Sequence, residues 1–419
     1  MKILVIGNGF DLAHGLPTKY TDFLKWVKVI RQIERLGITG DYTKIYNEVQ
    51  MWYGDEQIDW FVEKFGRILN RTTKEILIYI KNNIWIEYFL EHPKYQKENW
   101  IDFEGEISNV IQSLDGDMHG LSGDYSLDDY ITNLSNKFLQ SKYFKYTSTA
   151  RSINALTDGA SERITFKEIR NRLLIDLNKL IRALEIYLIE YVGKMEIQKK
   201  SLNIGRVEVD HVLSFNYTNT YEKIYGNTKE IEYDYIHGKA DINHTIETNN
   251  MVLGIDEYLS EDRKSKDVEF IAFKKFYQRI HKETGCKYKE WADEIKDEYA
   301  EYMNRINNAY EQLIESFKDG SILQYPFQKE YFVESLQEEC PKHNLYIFGH
   351  SLDVTDKDVL RDLILNDNVY TTIFYHDKDT MGQQIANLVK VIGQDELIRR
   401  TGGSTTTIKF KQQQDMIAI

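Results

Sequence analysis

The chain begins with a short apolar run that ends in glycines. Residues 3–6 (ILVI) are continuously apolar, which is typical of a strand buried on both faces of a parallel sheet. Apolar residues then recur at helical spacing across 20–36, and helix-period segments continue to about residue 99. A Ser-, Asp- and Gly-rich stretch at 113–129 predicts a loop, and 166–192 predicts a long amphipathic helix. Helices therefore dominate the first half of the chain.

The pattern changes in the second half from helical spacing to that of strands. Short runs of apolar, β-branched and aromatic residues end in Gly, Asn, Asp or His at 207–216, 231–238, 344–352 and 369–377. Two helical segments and a final strand are predicted at 356–367, 380–400 and 404–413. Strands that alternate with helices indicate parallel βαβ units with right-handed crossovers. We therefore expect an α/β fold with a doubly wound, mostly parallel Rossmann-like sheet and large helical insertions.

The length and the two helical stretches predict a core that is interrupted by insertions. The 419 residues exceed the usual size of one domain. We expect the core to consist of 1–36 and 205–419, separated in sequence by a helical insertion lobe at 37–204. A charged segment at 264–320 predicts a second helical insertion within the core. It is either a solvated helical hairpin beside the sheet or a lid or oligomer contact.

The composition of the chain indicates which partners and which cellular compartment to expect. The net charge of −13 makes nucleic acid an unexpected partner, because binding to its phosphates needs clustered Lys and Arg. Cys286 and Cys340 are the two cysteines, too few and too distant for a zinc module or a disulfide framework, so no metal is expected. Neither a signal peptide nor an apolar run of the ~18 residues that cross a membrane is recognised. These features predict a cytoplasmic protein without a membrane partner.

The glycine-rich segment after the first strand is the first candidate binding site. Gly7, Gly9, Gly15 and Pro17 do not form a GxGxxG fingerprint, because Leu12 stands where its third glycine is needed. Two interpretations stay open. The backbone N–H groups of the loop bind a pyrophosphate, or the segment is a tight turn with no ligand.

Three further motifs end strands of the predicted sheet. Asn216 either reaches a ribose or a water, or lies in the cap of the next helix. His237 is either catalytic or part of a turn. After the strand that ends near residue 348, either Ser351, Asp353 or Thr355 holds adenosine hydroxyls or phosphate, or Thr355 or Asp356 is only the N-cap of the next helix. Because the carboxyl ends of parallel strands meet at one edge, all four motifs are expected there.

Four segments resemble the AbiH family of bacteriophage abortive-infection proteins. They are GNGFDLAHGLPTKYTDF (7–23), NWIDFEGEI (99–107), LSFNYTNTYE with the following IHG (213–238) and LYIFGHSLDVTDKDVL (345–360). The likeness spans nearly the whole chain. It implies a role in bacterial defence against phage, in which an infected cell stops growing or dies. A phage-derived trigger and a homo-oligomer are partners that such a role would involve.

A more distant resemblance is to the sirtuins, which bind NAD. The three glycines of the first motif and Pro17 match the spacing of the sirtuin glycine loop. Asn216 falls on the catalytic asparagine of sirtuins, His237 on their catalytic histidine, and 349–352 on their Gly-Thr-Ser-Leu motif. The zinc-binding cysteines are missing, and Thr218 replaces an aspartate. Such losses are similar to those in sirtuin-like phage-defence effectors, which cleave NAD with water, so a protein-deacylase role is not expected.

Together the resemblances imply a phage-defence effector that binds NAD and hydrolyses its nicotinamide–ribose bond. Asn216 would orient water or the ribose hydroxyls, and His237, with an ordinary pKa near 6.5, would accept a proton. A non-catalytic sensor of NAD or ADP-ribose, which signals through the helical insertions or an oligomer, stays open, and so does a nuclease. The residues expected to bind NAD are Gly7, Asn8, Gly9, Phe10, Asp11, Gly15, Pro17, Thr218, Gly349, His350, Ser351 and Asp353.

Overall fold

The computed structural model describes the chain except for residues 38–40, 55–57, 67–70, 99–100, 120–164, 227–229, 322–339 and 404–405. A six-stranded parallel sheet forms its centre, in the order β4-β3-β1-β5-β6-β7. A separate antiparallel pair joins β2 to β8. The strands are β1 (Lys2–Ile6), β2 (Lys199–Ser201), β3 (His211–Ser214), β4 (Glu232–Tyr235), β5 (His343–Phe348), β6 (Val369–Tyr375), β7 (Ile408–Gln412) and β8 (Met416–Ala418).

The strand order is that of a dinucleotide-binding Rossmann sheet. Counted along the chain, the strands of the large sheet lie in the order 3-2-1-4-5-6, with β1 in the middle. The predicted doubly wound α/β sheet is therefore confirmed, and the last strand predicted at 404–413 is β7, which pairs with β6. The β2–β8 pair was not expected from the sequence.

Helices surround the sheet and form most of the first half of the chain. The described helices are α1 (Asn8–Ala13), α2 (Tyr20–Leu36), α3 (Tyr42–Tyr53), α4 (Ile58–Gly66), α5 (Arg71–Ile80), α6 (Ile84–Glu91), α7 (Pro93–Glu98), α8 (Phe103–His119), α9 (Phe166–Glu190), α10 (Leu202–Gly205), α11 (Thr220–Tyr225), α12 (Glu261–Lys264), α13 (Lys275–His281), α14 (Lys287–Lys318), α15 (Lys357–Ile364), α16 (Lys378–Ile392) and α17 (Gln394–Thr401). Within the described residues, no helix is both long enough and apolar enough to cross a membrane.

The two long helices predicted in the first half are confirmed as α2 and α9. The start of α9 is fixed by a capping box, in which Glu168 N–H donates to Thr165 Oγ1 and Thr165 N–H donates to Glu168 Oε2. The loop predicted at 113–129 is wrong in its first part, because α8 continues to His119. Apolar side chains at helical spacing on α8 are buried, and this packing outweighs the turn preference of its Asp and Gly residues. Residues 120–129 lie outside the described residues.

The buried apolar side chains form one core among the helices and two against the sheet. The helical core joins α2, α6, α8 and α9, and it includes Met251, Leu253 and Ile255 from a later loop. One face of the sheet packs against α15 and against Trp291 and Ile295 of α14. The first part of α14 therefore covers the sheet, whereas most of its later residues are partly or fully exposed.

Candidate ligand-binding site at the carboxyl edge of the sheet

A cavity of about 510 Å³, called the main cavity below, lies at the carboxyl edge of the sheet. Loops that follow β1, β3, β4 and β5 contribute to it, and α2, α8 and α9 close it from the helical side. Strand order reverses on either side of β1, and ligands of Rossmann-like sheets bind at this switch point. Among the predicted site residues, those that line the cavity are Gly7, Asn8, Gly9, Asp11, Asn216, Thr218, His237, Gly349, His350, Ser351 and Asp353.

Three predicted binding residues do not line the main cavity. Phe10 is fully buried below the loop and packs against Phe348, with 5.8 Å between the ring centroids. Gly15 lies in the turn between α1 and α2 with a φ of +82°, which favours glycine. The carbonyl of Pro17 accepts a hydrogen bond from the Tyr187 hydroxyl at 2.8 Å. In this structure these residues support the loop.

The first glycines are needed for the close approach of two loops. A Cβ on Gly9 would lie 2.8 Å from Gly349 Cα, and Gly349 itself has a φ of +67°. Gly7 N–H donates to the Phe348 carbonyl at 3.3 Å, and Gly9 N–H donates to the Gly349 carbonyl at 2.8 Å. These two amides are therefore engaged within the protein, which does not favour the first of the two sequence-based interpretations, that of pyrophosphate binding by the loop. The second interpretation, a tight turn before the first helix, did not include the short helix α1 that the segment forms.

Asn216 and Asp11 join the loops after β3 and β1. Asn216 Nδ2 donates to the Gly7 carbonyl at 2.9 Å, and Thr218 Oγ1 donates to Asp11 Oδ2 at 2.6 Å. Burial raises the pKa of Asp11 to about 6, although hydrogen bonds from Thr218 and Thr220 oppose this shift. Its other oxygen, Oδ1, has no hydrogen-bond partner in the described part of the chain. The wall of the cavity thus carries a buried carboxyl group with one free oxygen.

A second buried carboxyl, that of Asp356, lies at the centre of a charged cluster. Its Oδ2 is 3.3 Å from His350 Nε2, and its Oδ1 is 3.7 Å from His237 Nε2 and 3.9 Å from Lys275 Nζ. Lys275 Nζ also pairs with Glu104 Oε2 at 2.8 Å. Burial alone would raise the pKa of Asp356, but Lys275 and the hydrogen bond from His350 outweigh it and hold the pKa well below its usual range. Asp356 is therefore ionised.

The environment of His237 differs from the sequence-based expectation. Burial, with further contributions from Lys275 and Arg279, lowers the pKa of His237 to about 3. The Arg279 Nη2 group lies 3.3 Å from His237 Nε2 and can donate to it. His237 is therefore neutral at cell pH and is a weak base. The expectation of an ordinary pKa near 6.5 is wrong, first because the imidazole is buried and then because cations approach it from α13, which no motif connected with this site.

Two other carboxyl groups of the cavity titrate closer to neutral pH. Burial raises the pKa of Glu104 to about 7, although Lys275 opposes the shift. Burial likewise raises the pKa of Asp256 to about 6. Glu104 comes from α8 and Asp256 from the loop before α12, so groups suited to proton transfer lie on the helical side of the cavity.

Glu104→Gln is expected to change how the free energy of unfolding depends on pH. Because the pKa of Glu104 rises from 4.5 to about 7 on folding, the folded state keeps a proton that the unfolded state loses. This contribution to stability is present below pH 4.5 and disappears as the pH rises to about 7, a loss of about 3 kcal/mol. His237 acts in the opposite direction, because its pKa is lowered. The contribution of Glu104 is therefore obtained from the difference in the free energy of unfolding between the wild type and Glu104→Gln at each pH.

The measurement is urea unfolding at about pH 5 and about pH 8. Glu261→Gln is the matched control, because the Glu261 side chain is 88% exposed. The control is expected to follow the wild type, whereas Glu104→Gln loses less stability between the two pH values. An identical pH dependence in all three proteins would contradict the buried position of Glu104.

Several residues of the cavity were not predicted from the sequence. Asp356 directly precedes α15, and the sequence indicated no role for it other than that Asp356 or Thr355 caps this helix, yet its side chain makes no cap hydrogen bond. Glu104 lies in the quoted segment 99–107, which indicated a family but no chemistry. Asp256 and Lys275 lie in segments without a motif. The other unpredicted residues of chemical interest are Tyr20, Asp102 and Tyr217.

The arrangement suits a ligand with a sugar, a planar ring and positive charge. The carboxyl groups that line the cavity outnumber its one lysine, Lys275, which is already paired with Glu104. Phe215, Tyr20 and Tyr217 supply aromatic surface. Carboxylates favour cations and accept hydrogen bonds from hydroxyl groups. Among the described residues, no group of three or more His, Cys, Asp or Glu side chains is placed to hold a metal ion.

Comparison with known proteins identifies the family. The model of the family described as bacteriophage abortive infection AbiH matches residues 3–376. No curated protein and no solved structure matches the chain. The sirtuin-like resemblance therefore stays a prediction. The matched range includes β1, the motifs after β3, β4 and β5, and every residue of the main cavity. The chain belongs to the AbiH family, and this membership implies a role in bacteriophage abortive infection.

Proposed function

We propose that this protein is a phage-defence effector whose main cavity binds NAD and hydrolyses the bond between nicotinamide and ribose. The observation that carries the proposal is the buried, acidic cavity at the switch point of a sheet with Rossmann strand order. The nicotinamide ring of NAD is cationic, and its ribose gains positive charge as the bond breaks. Ionised carboxylates in a site shielded from water stabilise such a charge.

Each step of the proposed reaction has a candidate group. Water adds to the ribose carbon, and nicotinamide leaves as a neutral molecule with the electron pair of the broken bond. The ionised Asp356 stabilises the positive charge on the sugar, and Glu104 accepts the proton from water. Asn216 and Asp11 orient the ribose hydroxyls or the water. His350, whose Nε2 lies 3.3 Å from Asp356 Oδ2, positions Asp356.

Incubation of the purified protein with NAD is expected to release nicotinamide and ADP-ribose in equal amounts. Chromatography of the products, with and without a lysate of phage-infected cells, measures the reaction. Activity is expected to persist in a chelator, because the proposed step uses carboxyl groups and water. Activity that is lost with chelator and restored by magnesium or manganese would favour a nuclease or phosphotransfer enzyme instead.

A sensor that binds NAD or ADP-ribose without turnover is the second candidate. Its support is that α2, α8 and α9 contribute Tyr20, Glu104 and Leu184 to the cavity, so a ligand there contacts the helical part of the molecule. A ligand that binds one arrangement of these helices more tightly shifts the population towards it. Calorimetric binding of NAD without nicotinamide release, also in the presence of the lysate, would favour this candidate.

A further inference from the structure

The main cavity offers little that would bind phosphate groups. Its carboxyl groups include Asp11, Glu104 and Asp356, and its described lining contains a single lysine, Lys275. That lysine already lies 2.8 Å from Glu104 and 3.9 Å from Asp356. The N–H groups of Gly7 and Gly9 are engaged by backbone carbonyls. A pyrophosphate placed there would face like charges in a region of low dielectric, which is unfavourable.

A second cavity of about 280 Å³ lies beside the first and has the opposite character. Leu188, Tyr217 and Thr218 line both cavities, so the two spaces are neighbours. Lys194 and Lys223 line it, together with the polar groups of Asn219 and Thr220. Its described lining contains no aspartate or glutamate.

Lys223 is the cation best placed to meet an anion in the second cavity. Its Nζ donates to the Gly193 carbonyl at 2.7 Å, which uses one of its three N–H groups and fixes the position of the ammonium group. Burial lowers the pKa of Lys223, although Asp11 opposes this shift. Lys194 already pairs with Glu190 at 2.6 Å and is the weaker candidate.

We propose that the second cavity binds the phosphate groups of the nucleotide whose nicotinamide–ribose end lies in the main cavity. This inference rests on the proposed function. The ligand passes over Tyr217 and Thr218, which belong to both spaces. Its cationic end meets the carboxylates, and its anionic part meets Lys223. The distribution of charge between the two cavities thus fixes the direction in which the ligand lies.

The test compares ligands with and without phosphate. Dissociation constants for inorganic pyrophosphate, ADP-ribose and nicotinamide riboside are measured by calorimetry on the wild type, Lys223→Ala and Lys296→Ala. Lys296 is an exposed residue of α14 that lines neither cavity, and it serves as the matched control. Lys223→Ala is expected to raise the dissociation constants of pyrophosphate and ADP-ribose about tenfold. The dissociation constant of nicotinamide riboside is expected to stay within about twofold of its wild-type value. The control is expected to bind all three as the wild type does.

A second variant tests whether the ligand occupies the second cavity, independently of the charge of Lys223. Ala240 lines the second cavity and not the main one, so Ala240→Trp is expected to fill it and to produce the same selective loss. The inference is overturned if pyrophosphate and ADP-ribose do not bind the wild type, or if they bind both variants as tightly as they bind the wild type. It is also overturned if the variants weaken the binding of nicotinamide riboside as much as the binding of the two phosphate ligands.

The same measurements separate this inference from the proposed function. Pyrophosphate binding that depends on Lys223, in a protein that does not cleave NAD, would support the phosphate site and contradict hydrolysis. Cleavage of NAD with an unchanged KM in Lys223→Ala would support hydrolysis and overturn the phosphate site.

Discussion

Asp356→Asn is expected to lower the rate of nicotinamide release from NAD by about 10²- to 10³-fold. The amide keeps the shape of the side chain but removes the negative charge that faces the ribose in the proposed reaction. His350 and Lys275 lie within 3.3 and 3.9 Å of the carboxylate, so the substitution also removes an attraction that holds them in place. Initial rates measured by chromatography and the efficiency of phage plating on cells that express the variant are the two readouts. Protection against phage is expected to be lost.

Asp358→Asn is the matched control for this variant. Asp358 is two residues further along the chain, in the first turn of α15, and it is exposed. The control is expected to cleave NAD and protect cells as the wild type does. If Asp356→Asn folds, accumulates normally and still protects cells, defence does not depend on the main cavity.

Gly349→Ala is expected to lower the free energy of unfolding by about 2 to 4 kcal/mol. Gly349 has a φ of +67°, which is unfavourable for alanine, and the added Cβ would lie 2.1 Å from Phe10 N. Gly349 and Phe10 lie in two tightly packed loops, so the contact between the added Cβ and Phe10 N can be relieved only by separating the ends of β1 and β5. Urea unfolding measures the change. Ligand binding is expected to weaken as well, because these loops form one side of the main cavity.

Gly382→Ala provides the contrast in the same protein. Gly382 lies inside α16, has an ordinary helical φ, and nothing lies within 4 Å of the added Cβ. Alanine there is expected to stabilise the protein by about 0.5 to 1 kcal/mol. Equal effects of the two substitutions would contradict the close packing of the loops after β1 and β5.

Sequence patterns were sufficient for the sheet and the long helices. The strands β3 to β6 belong to short runs that end at turn residues, and the capping box at Thr165 marks the start of α9. The β2–β8 pair has no such pattern, because each strand has three residues and the register joins Lys199 to Ala418 across most of the second half of the chain. The end of α8 was missed, since local turn residues there are overruled by tertiary packing.

The position of the candidate site was predictable, but its ionisation was not. Parallel strands bring their carboxyl ends together, so four motifs that end strands indicated the edge of the sheet correctly. The low pKa of His237 depends first on its burial and then on Lys275 and Arg279, which approach from α13 and belong to no motif. The pKa of Glu104 depends on how far α8 buries it, a tertiary property that spacing along the chain does not contain.

The central position of β1 also determines when the main cavity can form during synthesis of the chain. β1 pairs with β3 and β5, so Ile3 lies opposite His211 on one side and opposite Leu345 on the other. At roughly 5 to 20 residues per second, the ribosome adds β5 about 20 to 70 s after β1. Until then the nascent chain lacks Gly349, His350 and Asp356, and it has no complete cavity. Under the proposed function, in which this cavity cleaves NAD, the nascent chain would therefore be inactive throughout most of its own translation.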